Sequence, residues 1–133
     1  MEFSLPIRIY IEDTDVGGIV YYVNYLKFME RARTEFMRQQ GFAKAAMGGD
    51  GLIMVVHSAN IQYRSPARLD DEVQVTAKVK RCARSYIVFS QQVFRDGKLL
   101  CEAEVKVACV QQDSMKPTAL PKQIKDALTP MAN

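Results

Sequence analysis

From residue 22 to residue 40 the apolar side chains fall at helical spacing. Tyr25, Met29, Ala32 and Phe36 share one face of a long helix, and Gly41 is a natural stop. Nearly everything else alternates at period two. Residues 4–12 place Ile7, Ile9 and Ile11 on one side of a strand. Residues 52–64 alternate late, with Ala59, Ile61 and Tyr63 opposite Ser58, Asn60 and Gln62. Residues 73–80, 86–95 and 99–110 continue the pattern, and Asp96-Gly97 marks a tight hairpin between the last two. A single long helix among alternating strands predicts an α+β chain whose antiparallel sheet wraps the helix.

The chain of 133 residues suits one domain, 1–133, with a real core. Its net charge of +3 shows no basic cluster, which argues against a nucleic-acid partner yet suits a phosphate-bearing ligand. No apolar run is long enough to span a bilayer. The cysteines Cys82, Cys101 and Cys109 read as buried thiols in a reducing, cytoplasmic setting. One histidine, His57, leaves little for a metal site or a Ser-His-Asp triad, so neither metal nor cofactor is expected. His57 reads as a structural or surface residue.

Smaller features take ordinary readings. Arg31 with Glu35, and Glu30 with Arg33, are expected as ion pairs on the wet side of the helix. Residues 42–47 suggest a short helical turn, and residues 123–128 a second short helix. Lys78, Lys80, Arg81 and Arg84 flank a strand end as a solvated edge. The methionines are core fillers, with Met54 a candidate wall of an acyl pocket. Aromatics nearly all round the helix start (Tyr21, Tyr22, Tyr25, Phe28) suggest a second subunit there.

The chemistry concentrates in Asp13-Thr14-Asp15-Val16-Gly17-Gly18, just before the helix. Asp15 lies too far ahead of the helix to be a simple cap. The glycine pair lets the chain fold back and bring its carboxylate toward the first helical amides. Those amides carry partial positive charge and can polarise a carbonyl, while a carboxylate attacks it or activates water. Aspartate is a weak base, so an activated carbonyl such as a thioester fits best.

The run from Asp13 to Tyr25, followed by Phe28-Met29-Glu30-Arg31-Ala32-Arg33-Thr34-Glu35, resembles the signature of hot-dog acyl-CoA thioesterases. It is most similar to the 4-hydroxybenzoyl-CoA thioesterase family, and within that to the Tol-Pal-associated, YbgC-like branch. Tyr63-Arg64-Ser65-Pro66-Ala67-Arg68-Leu69-Asp70-Asp71 and Met115-Lys116-Pro117 extend the likeness.

The resemblance implies a hot-dog fold, a curved antiparallel sheet around one long central helix. It also implies at least a dimer, commonly a homotetramer, with active sites between subunits. Asp15 takes the place of the catalytic carboxylate. Tyr22 supplies the polarising backbone amide, and Asp13 orders the loop. Gly17, Gly18 and Val23 surround the substrate, and Arg81, Arg84 and Ser85 meet the phosphates of coenzyme A. Many members of the branch carry histidine where this chain has Tyr22, a change the backbone role survives. The reading is an acyl-CoA thioesterase. The alternative is a non-catalytic module that binds acyl-CoA or acyl carrier protein within an envelope or lipid-synthesis complex.

Overall fold

Five strands and one long helix dominate the computed structural model, which describes residues 2–42 and 51–132. Strand β1 spans Phe3–Arg8, and the helix α1 spans Asn24–Gln39. Strands β2 (Leu52–Tyr63), β3 (Glu72–Cys82), β4 (Tyr86–Arg95) and β5 (Lys98–Gln111) follow. A short helix, α2 (Lys122–Leu128), follows and runs into a 3₁₀ turn, Thr129–Met131. All pairings are antiparallel, in the order β1-β3-β4-β5-β2. This is the hot-dog arrangement. Among the described residues no helix is long and apolar enough to cross a membrane.

The helix buries Tyr25, Phe28, Met29, Ala32, Phe36 and Met37. It lies nearest β1 and β3, and Phe36 meets Phe89 of β4 edge-on at 5.9 Å. Gly41 closes it with a φ of +92°, a conformation that strains any residue with a Cβ. The β4–β5 turn is the expected two-residue hairpin, with Asp96 and Gly97 both at positive φ. Cys101, Ala103, Val105, Val107 and Cys109 all point into the core, and burial pushes the Cys101 thiol up to about 12. Cys82, by contrast, is only half-buried.

A bulge explains why β2 alternates late. Its pairing with β5 slips between Val56 and Ser58, so His57 is the extra residue. Met54 and Val56 precede the bulge on the inner face, opposite Cys109 and Val107. Ala59, Ile61 and Tyr63 follow it on the same face, opposite Val105, Ala103 and Cys101. That face is only partly covered, because β2 is the edge strand farthest from α1.

Three expectations are corrected. The first strand stops at Arg8, so Ile7 and Ile9 are buried while Ile11 is 77% exposed. The Asp13 carboxylate accepts the Tyr10 N–H at 2.8 Å and coils Ile11–Asp13 into a 3₁₀ turn that throws Ile11 outward. Glu35 pairs with Arg38 rather than Arg31, whose guanidinium lies 5.8 Å from the Phe28 ring centre. Arg33 turns inward and donates to Gln91 at 2.9 Å instead of pairing with Glu30. The expected turn over residues 42–47 lies, from residue 43 on, outside the described residues.

Replacing Phe89, 2% exposed between helix and sheet, by Ala should cost about 3–5 kcal/mol in urea unfolding. Replacing the fully exposed Val16 by Ala should stay within about 0.5 kcal/mol. Equal costs would contradict this placement of the core.

Candidate active site

Asp13 ties the loop to the helix. Its backbone carbonyl accepts the Tyr21 N–H at 3.0 Å and the Asn24 side-chain amide at 2.8 Å. A bridge between Thr14 and Val20 continues this fold-back, and the Asp15 N–H donates to the Ile19 carbonyl at 3.0 Å. Asp15 therefore sits at the tip of a tight hairpin. Its Oδ1 accepts the Gly17 N–H at 2.9 Å, and Gly18 turns the chain with a φ of +74°. A Cβ on Gly17 would stand 3.4 Å from that carboxylate oxygen. The loop folds back as expected. The carboxylate, however, bonds within its own turn rather than to the helical amides.

At the helix start, Val23 occupies the cap position and no side chain caps it. Among the described residues neither the Tyr22 nor the Val23 N–H finds a protein acceptor. The peptide planes that carry them are held all the same. The Tyr21 carbonyl accepts the Asn24 N–H at 2.8 Å. The Tyr22 carbonyl accepts the Tyr25 N–H and the Tyr63 hydroxyl, both at 3.3 Å. Tyr22 is 57% exposed and Val23 36%. The result is a pair of oriented, solvent-facing donors where the helix field is most positive.

The connection between β2 and β3 clamps this assembly. The Ala67 carbonyl accepts the Val20 N–H at 2.9 Å, and the Ala67 N–H donates to the Tyr25 hydroxyl at 2.9 Å. Burial pushes the Tyr25 phenol above its ordinary value, against the bond from Ala67, so it stays protonated. Tyr63 packs edge-on to Tyr22, with ring centres 6.0 Å apart. Asp71 closes the clamp by accepting the Arg68 N–H at 2.8 Å and the Arg95 guanidinium at 2.7 Å. Partial burial pushes the Asp71 carboxyl up. The Arg95 and Arg68 hydrogen bonds outweigh it and hold the group below the ordinary aspartate value.

Arg81, Arg84 and Ser85 lie elsewhere. They occupy the end of β3 and its turn into β4, whereas the acidic loop adjoins the start of β3 at Glu72. At about 3.3 Å per residue the two ends of β3 are roughly 33 Å apart. Arg81 lies over the Tyr86 ring at 5.4 Å, and the Ser85 carbonyl accepts the Cys109 N–H at 2.8 Å. Asp15, Gly17, Gly18, Tyr22 and Val23 thus form one neighbourhood and the basic turn another. In the sequence Tyr63 was a strand and motif residue and Ala67 a motif residue; their part in this clamp was not visible, because their partners are set by long-range pairing. Among the described residues no cluster of side chains is arranged to hold a metal.

Residues 9–128 match the family described as the thioesterase-like superfamily. The chain belongs to that superfamily. It is 44% identical to the acyl-CoA thioesterase YbgC of Haemophilus influenzae, over 94% of this chain and 93% of that one. It is 42% identical to the acyl-CoA thioester hydrolase YbgC of Escherichia coli, over 92% of each chain. A solved structure of an Aquifex aeolicus protein, 31% identical, superposes with a TM-score of 0.88 and covers 96% of this chain and 99% of that one. These relatives place the chain in the YbgC-like branch of hot-dog thioester hydrolases.

The Asp71 clamp has a pH signature. A carboxyl held low in the folded state stabilises it above the unfolded value, about 3.9, and loses that effect as pH falls through the folded value. Asp71→Asn should therefore cost about 1–3 kcal/mol at pH 7, the scale of a charge-assisted hydrogen bond. In urea unfolding the gap to wild type should narrow as pH falls below the unfolded aspartate value, about 3.9, and on through the lower folded value. A gap independent of pH would contradict the clamp.

Proposed function

We propose that the chain hydrolyses an acyl-CoA thioester to a carboxylic acid and free coenzyme A. The observation that carries this reading is the pair of N–H groups on Tyr22 and Val23, unpaired among the described residues, on a helix start tied to the loop that bears Asp15. The thioester carbonyl oxygen accepts from these amides, which stabilise the negative charge it gains in the tetrahedral intermediate. Asp15 acts either as general base, taking a proton from the attacking water, or as nucleophile, forming an anhydride that water then opens. In both cases the C–S bond breaks and the sulfur leaves as the thiol once protonated. Gly17 and Gly18 keep the approach to Asp15 open. The reaction needs no metal or cofactor.

The active unit is proposed to be an assembly of two or four copies of this one-domain chain. Arg81, Arg84 and Ser85 stand at the far end of the sheet from their own Asp15, which favours phosphate contacts supplied by a neighbouring copy. β2 offers a long, uncovered edge for a second copy. The free cysteines suit a cytoplasmic enzyme.

A second reading has an observation of its own. Asp15 Oδ1 already accepts the Gly17 N–H, as a turn-forming residue would. On that reading the chain binds acyl-CoA or acyl carrier protein with little turnover.

Thiol release from short, long and aromatic acyl-CoAs, by wild type and Asp15→Asn, separates the two. The enzyme reading expects turnover by a dimer or tetramer, lowered about a hundredfold by the substitution. Binding without turnover by wild type would favour the module.

A further inference from the structure

A cavity of about 280 Å³ lies between the flank of α1 and the inner faces of β2, β4 and β5. Its wall mixes apolar side chains, among them Met54, Val56 and Phe89, with the polar Glu30, Arg33 and Thr34. Arg33 is the cation of that wall. It is mostly withdrawn from solvent, and this burial pulls its guanidinium below the ordinary arginine value while the charge of Glu30 pulls the other way. A guanidinium remains charged at neutral pH even so.

Burying a cation without a carboxylate partner is costly. Glu30, one turn away at the cavity's exposed rim, makes no ion pair with it among the described residues. The single side-chain hydrogen bond of Arg33 runs from Nη1 to Gln91 Oε1, at 2.9 Å. Gln91 is fully buried and cannot turn. Its Nε2 donates to the Met29 carbonyl at 2.9 Å and to the Thr76 carbonyl at 3.1 Å. The glutamine therefore fixes the guanidinium at the cavity wall and occupies one of its five N–H donors. Arg33 thus lines a ligand-sized space with donors to spare, as a polar group that fixes a ligand's orientation would.

We propose that this cavity takes the far end of the substrate's acyl group, and that Arg33 selects chains tipped with an oxygen acceptor over plain alkyl chains. The proposal rests on the thioesterase reading. Arg33 lies ten residues beyond Val23, about 15 Å along the helix, so short acyl groups end before they reach it. A carboxylate tip gains charge pairing with Arg33 but meets Glu30 at the rim. A hydroxyl tip gains a hydrogen bond without that repulsion.

The test compares dodecanoyl-CoA with its ω-hydroxy and ω-carboxy counterparts. Wild type, Arg33→Met and Arg33→Lys are assayed by thiol release. Binding of the same esters to Asp15→Asn is measured by calorimetry. Wild type should favour at least one oxygen-tipped ester about tenfold in kcat/KM, the scale of one charge-assisted hydrogen bond. Arg33→Met should bring the ratio near one, while Arg33→Lys restores part of the preference.

A wild type that favours the plain chain overturns the proposal. So does a preference that survives Arg33→Met, which would mean that protein groups, such as those of a second copy, occupy the donors. If wild type hydrolyses none of the esters, the thioesterase reading fails, and the calorimetric ratio alone decides the role of Arg33. Should Arg33→Met not fold, Val56→Phe at the half-exposed wall replaces it. That variant should slow the long esters and spare a short one, and equal effects on both would overturn the proposal.

Discussion

One helix is too narrow to cover five strands, and most of this molecule follows from that mismatch. A helix with its side chains is about 10–12 Å wide, whereas five strands about 4.8 Å apart span roughly 19 Å from first to last. α1 seals β1, β3 and part of β4, where Phe28, Phe36 and Phe89 fill the space. The inner face of β5 is still buried, but β2 beyond it is only partly covered, with Val56 and Tyr63 about half exposed. The cavity beside Arg33 and the half-covered inner face of β2 are two consequences of the same shortfall. In a lone protomer such an edge invites pairing, which is why the proposed function calls for a second copy.

The proposed chemistry uses the other weak point of a helix, its first amides, which among the described residues are unpaired. Most helices satisfy these with a capping side chain. Here Val23 holds the cap position and offers none. The polar loop residues are engaged otherwise: Asp13 ties the loop, and Asp15 shapes its own turn. Two donors are left facing solvent, held by Asn24, Tyr25 and Tyr63. Local stability is given up where a substrate oxygen can restore it. The clamp through Ala67 and Asp71 keeps the region ordered while those donors wait.

The long helix and the hairpin at Asp96-Gly97 were legible because their signals are local: an apolar stripe at helical spacing and a turn that needs positive φ. The fold-back of the acidic loop onto the helix start was legible through the acid–glycine–helix order. The direction of Arg33 was not, because an arginine three residues from a glutamate reads as a surface pair. Only the pairing of β3 with β4 reveals the buried Gln91 that draws it inward. Ile11 misled for a related reason. Its alternation with Ile7 and Ile9 is unbroken, and only the Asp13 carboxylate bonding back to Tyr10 ends the strand. The parity change in β2 was visible, but its cause, a bulge at His57, required the register against β5.

The claim on which the rest depends is that the Tyr22 and Val23 amides receive the thioester carbonyl. The direct test is a crystal structure of the protein with a non-hydrolysable acyl-CoA in which a methylene replaces the thioester sulfur. The account predicts the ketone oxygen about 2.7–3.1 Å from one or both of these nitrogens, with the Asp15 carboxylate facing the carbonyl carbon or a water beside it. A carbonyl bound away from the start of α1, with both amides still facing solvent, would contradict it.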